Sequence, residues 1–223
     1  SSRPRRSARC WKGSKSSANL TKDVRQTLEA WRADGGPALD EPHFHTRYVV
    51  VDVATSGEYP GSGKLEGITA IGMRGGVITP GDAFALDLAG GDADPAAVDR
   101  QLAAFLSFSA KAPLVTYHSV FVSSFLQRAL QERLGVDSRP DWVDLAWLLP
   151  SLFAEKWHTV VPLDRWLELF GIHTEGWRDT MDNTLVLGRL FQMLLVRAID
   201  KEILTAEKLV EESLATTFLR RTH

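Results

Sequence analysis

The stretch Tyr48-Val49-Val50-Val51-Asp52-Val53-Ala54-Thr55-Ser56-Gly57 decides how this chain is read. From Arg47 to Val53 it is a run dominated by valine, fit for a central strand buried on both faces. Asp52 stands within that run. A buried carboxylate without a partner is costly, so Asp52 marks a place where chemistry or an ion pair is expected.

Elements follow on both sides. Ile68 to Met73 and Val77 to Leu88 read as neighbouring strands joined by a Gly75-Gly76 hairpin turn. Pro95 opens a helix to about Ser109, with Val98, Leu102, Phe105 and Leu106 as its apolar positions. Pro113 to Tyr117 is a short buried strand, and Phe121 to Leu134 a helix closed by Gly135. Asp141 to Leu149 is a short apolar segment that Pro150 is expected to end, and Leu163 to Phe170 is a helix ended by Gly171. Two more helices run from Thr180 to Lys201 and from Thr205 to Leu219. Upstream, Leu20, Val24, Leu28 and Trp31 share one face of a helix from Thr21 to Ala33, ended by Asp34-Gly35-Gly36-Pro37. Three antiparallel strands followed by alternating helix and strand make an α/β sheet covered by helices. The expected division is a basic tail (1–20), an N-terminal helix and connection (21–45), a main domain (46–200) and a C-terminal helical extension (201–223).

Charge is unevenly spread. Residues 1–20 carry Arg3, Arg5, Arg6, Arg9, Lys12 and Lys15 and no acid, whereas the remainder holds 20 basic and 28 acidic residues, a net of −8. A duplex-binding surface shows the opposite balance. The tail reads as a disordered, solubilising arm; contact with nucleic acid or an acidic partner, or a transit-peptide role, are the other readings of its composition. The single cysteine, Cys10, excludes an internal disulfide framework. No apolar run is long enough to span a membrane, and a cytoplasmic location is expected.

Three segments carry a resemblance. Asp52-Val53-Ala54-Thr55-Ser56-Gly57 is followed by Ile68-Thr69-Ala70-Ile71-Gly72-Met73. Leu114-Val115-Thr116-Tyr117-His118-Ser119-Val120-Phe121-Val122-Ser123-Ser124-Phe125-Leu126 comes next, and Arg178 to Phe191 last. In order and spacing they resemble the motifs of DEDD-type 3′–5′ exonucleases, the group containing polymerase III proofreading subunits and ribonuclease T. The resemblance covers residues 46–200 and implies a ribonuclease H-like mixed sheet flanked by helices, with further helices at both ends. It also implies a site of four carboxylates around two Mg²⁺ or Mn²⁺ ions, with a histidine that activates water.

The chemistry is where the chain departs from that pattern. Asp52 is the one family acid retained; Ala54, Val122 and Asn183 stand at the other acid positions and Arg178 at the histidine. One carboxylate cannot organise two hard cations that take oxygen ligands. A guanidinium stays protonated and cannot act as a base. Asp179 and Asp182 flank the third motif; Asp182 is turned about 100° from the Asn183 direction on a helix, and both are expected to cap or solvate its first turn. Thr180 and Thr184 replace the motif's alanines. Arg178 is expected either to neutralise Asp52 or to point to solvent from a loop.

No two histidines stand at i and i+4 as a metal pair, and His43 and His45 are expected on the surface of a polar loop. His118, Trp177 and Arg178 are the candidates for contact with nucleic acid. The other tryptophans of the second half, Trp142, Trp147, Trp157 and Trp166, are expected in the core or against a partner. The resulting expectation is a catalytically inactive exonuclease-like domain that binds or scaffolds an unknown protein partner, without cofactor. Alternatives are an active exonuclease with rearranged ligands and a module that weakly binds single strands or nucleotides. The long C-terminal helices are compatible with a homodimer.

Overall fold

In the computed structural model, which describes residues 19–59, 61–89, 94–174 and 180–219, the valine run becomes strand β1 (Arg47–Thr55) at the centre of a five-stranded sheet. β2 (Leu65–Arg74) lies antiparallel to it, with Asp52 opposite Thr69. β3 (Val77–Asp87) returns antiparallel to β2 through Gly75-Gly76. Both glycines have positive φ, 64° and 73°, which a two-residue hairpin turn needs and a Cβ would oppose. On the other side of β1, β4 (Leu114–Thr116) and β5 (Trp142–Asp144) add in parallel, giving the order β3-β2-β1-β4-β5.

Seven α-helices flank this sheet among the described residues: α1 (Lys22–Ala33), α2 (Pro95–Ser109), α3 (Ser119–Leu134), α4 (Leu145–Leu152), α5 (Leu163–Leu169), α6 (Thr180–Asp200) and α7 (Ala206–Leu219). Side chains alternate across a strand, so β1 feeds two cores. Tyr48 and Val50 pack with Ile71, Met73, Val115 and Val143 under α4, α6 and α7. Val49, Val51 and Val53 pack with Ile68 and Ala70 under α1, α2 and α3. Asp52 shares the parity of Tyr48 and Val50 and therefore faces the α6 side. α1 and α7 both join these cores, through Val24 and Leu28 and through Leu209 and Val210.

Two expectations fail. Pro150 does not stop the chain: β5 occupies only three residues, and α4 then carries Pro150 inside it. Proline there forfeits one helical hydrogen bond. Burial of Leu148, Leu149, Pro150 and Leu152 outweighs it. His43, expected on the surface, is buried in the short 3₁₀ turn His43–His45. Its Nε2 donates to the Ile203 carbonyl at 2.8 Å. A carbonyl can only accept, so Nδ1 is left as acceptor for the Tyr48 hydroxyl at 2.7 Å. Burial lowers the His43 pKa and favours this neutral form. The ring thereby ties the N-terminal connection to the α6–α7 link, beside the Pro42–Thr205 bridge.

Candidate functional site

Asp52 near the end of β1, Tyr117 and His118 just past β4, and Asp144 at the end of β5 open onto one cleft of about 890 Å³. Ligand sites of open α/β sheets lie at these carboxyl ends. Phe121 and Val122 of α3, Trp147 of α4, Leu163 of α5, and Asn183 and Leu187 of α6 complete its walls.

The structure brings together three of the positions singled out by sequence, Asp52, Val122 and Asn183, with His118 beside them. Ala54 follows Asp52 by two residues on the same sheet face, and its side chain carries no polar atom. Trp177 and Arg178 lie outside the described residues. Val122 is 1% exposed and belongs to the apolar core under α3. Asn183 is exposed at the mouth. Burial pushes the Asp52 carboxyl up to about 6, against a smaller lowering by the backbone N–H of Val53. Among the described residues no cation lies within ion-pair distance of it.

Asp144, within the short segment read from Asp141 to Leu149, is the polar hub of the cleft. It is 1% exposed, and its carboxylate accepts four hydrogen bonds. One oxygen takes the His118 N–H at 3.0 Å and the Ala146 N–H at 3.1 Å. The other takes the Ser119 N–H and Ser119 hydroxyl, each at 2.8 Å. Asp144 thus caps α3 and α4 together, and its own N–H donates to Ser213 Oγ of α7 at 2.9 Å. A carboxylate offers about four lone-pair positions, and all are used. The same bonds hold His118 at φ 64°, a left-handed conformation that a non-glycine residue adopts only when its surroundings enforce it. An acid at the end of a buried strand, one residue before a helix, was the available sequence signal for this capping role.

The start of α6 is fixed by a pair of hydroxyls. Thr184 Oγ1 lies 2.6 Å from Thr69 Oγ1, and both reach the Thr180 carbonyl, at 3.0 Å and 3.2 Å. Thr69 is the cross-strand partner of Asp52, so this pin sits beside that acid. At the far wall, the Tyr117 hydroxyl donates to the Val161 carbonyl at 2.5 Å. His118 is exposed and its ring meets Tyr117 edge-on at 4.9 Å.

Two divalent ions need several oxygen donors aimed at common points. The donors here do not fit them. Ala54 and Val122 supply none, the Asp144 oxygens are spent on N–H and O–H groups, and Asp52 and Asn183 remain. Among the described residues no three His, Cys, Asp or Glu side chains converge as a metal group.

No protein-family model matches the sequence. No curated protein matches it either. Solved structures do match by shape. Escherichia coli exonuclease I in complex with a dT13 oligonucleotide superposes with a TM-score of 0.54 at 12% identity, over 70% of this chain and 42% of that one. A second exonuclease I structure gives 0.52 at 13% identity, over 75% and 43%. The chain therefore spans less than half the length of these structures. The likeness shows an exonuclease-like fold.

Proposed function

We propose that this chain is an exonuclease-fold module without two-metal cleavage, working as a binding or scaffolding domain for a protein partner. The observation that carries the reading is the donor set of the cleft. Two of the four carboxylate positions hold Ala54 and Val122, the latter sealed in apolar core, and a third holds the neutral Asn183. The one other acid among the described lining residues, Asp144, is committed to holding three helices in place. No cofactor is expected. The exonuclease-like fold supplies the scaffold, and fold alone does not carry activity.

The test is incubation of a 5′-labelled single strand with the full chain in Mg²⁺ and in Mn²⁺. The proposal expects no cleavage above the Asp52→Asn control. Stepwise 3′ shortening that Asp52→Asn abolishes would instead establish an active exonuclease with substitute ligands.

A further inference from the structure

We infer that the cleft beside Asp52 receives a guanidinium or ammonium side chain presented by a protein partner, rather than a phosphate. This rests on the reading above that the cleft holds no metal pair. Three observations carry it. The first is the walls: Tyr117, His118, Phe121 and Trp147 line the same cleft as Asp52 with four aromatic rings. Ring faces attract cations, most strongly where water is excluded. The second is charge. Asp52 and Asp144 line the cleft, and no Lys or Arg stands among its described lining residues. In two-metal phosphoryl chemistry, metal ions compensate the charge between carboxylates and a phosphate; with an unsuitable donor set, an incoming phosphate meets carboxylates instead.

The third concerns backbone donors. The start of a helix is an anion site because its first N–H groups are unpaired. Here the His118 and Ser119 N–H groups at the start of α3 are already given to Asp144. Two of the donors that a phosphate would use are thus taken by an internal carboxylate. A cation needs none of them. It needs acceptors and ring faces, which Asp52, the Asn183 side-chain oxygen and the aromatic walls supply. The volume, about 890 Å³, admits a long side chain together with the backbone that carries it.

Calorimetry on the full chain at neutral pH and low salt tests this with three probes: N-acetyl-arginine methylamide, its uncharged counterpart N-acetyl-norleucine methylamide, and thymidine 5′-monophosphate. The arginine probe is expected to bind about tenfold or more tightly than the norleucine probe, with no heat from the nucleotide. Asp52→Asn, confirmed folded by thermal unfolding, is expected to weaken the arginine probe and leave the norleucine probe unchanged; Phe121→Ala, likewise confirmed folded, is expected to weaken both. Nucleotide binding tighter than arginine binding overturns the inference, as does arginine binding indifferent to both substitutions. Arginine binding seen only in an Arg178→Ala variant overturns the partner as the source, because the chain would then be filling its own site. Mn²⁺ heat abolished by Asp52→Asn removes the metal-free reading itself, whereas nucleotide binding without Mn²⁺ heat removes only the cation assignment.

Discussion

Asp52 and Asp144 show how differently two acids of one cleft are treated. In the unfolded chain Asp52 ionises near 3.8, and in the fold burial pushes it up to about 6. Between these values the folded form holds a proton that the unfolded form has lost, so stability falls as pH rises through the window. Asp52→Asn removes that loss. The variant is expected to match the parent in denaturant unfolding below about pH 4 and to exceed it above about pH 6. The gain is about 1–2 kcal/mol, since one pKa unit is worth about 1.4 kcal/mol and water at the cleft mouth screens part of it. Asp144→Ala should do the reverse. It strands the His118, Ser119 and Ala146 N–H groups in a buried place, and a loss of about 3–5 kcal/mol is expected, read as a shift of the unfolding midpoint. That Asp52, Val122 and Asn183 share one cleft was foreshadowed in the sequence by the order of the three resembled segments. The role of Asp144 was not, because its partners lie 25 residues upstream in the chain, at Ser119, and on α7.

At the scale of elements, β1 and the β2–β3 hairpin were readable from a valine run and a Gly-Gly pair, both local signals. Helix α2 was readable for the same reason, with Asp94 capping and Pro95 in the first turn. Features that depend on distant packing were missed. Pro150 continues α4 because the core beneath rewards it, and His43 is buried because Tyr48 and Ile203 meet it from elsewhere in the chain. The pin at the head of α6 belongs to this class. Thr184→Ala, which restores the residue type of the resembled motif, removes the Thr69–Thr184 bond in a fully buried place. It is expected to cost about 1–2 kcal/mol and to speed amide exchange in the first turns of α6 more than elsewhere. On the opposite edge, Arg47 clamps Asp82 with two bonds of 2.8 Å and 2.9 Å. A Cβ at Gly72 would fall 1.7 Å from an Asp82 oxygen. Gly72→Ala must therefore displace that carboxylate, and a loss of about 1–3 kcal/mol in denaturant unfolding is expected, smaller in an Asp82→Ala background.

Across the whole molecule, charge and architecture point the same way. The sheet, its two cores and the seven described helices form an exonuclease-like fold, and no described helix is long and apolar enough to cross a membrane. The body beyond residue 20 is acidic, with 20 basic against 28 acidic residues, while six cations crowd the first 15 positions. Affinity of the full chain for a labelled single strand is accordingly expected to be salt-sensitive and to disappear when those six are replaced by Gln, with no help from the cleft. The described residues of the cleft beside Asp52 lack the oxygen donors for two divalent ions. Calorimetric titration of the full chain with Mn²⁺, repeated with Mg²⁺, tests this most directly. No binding heat is expected up to millimolar metal. Two-site binding abolished by Asp52→Asn would contradict it.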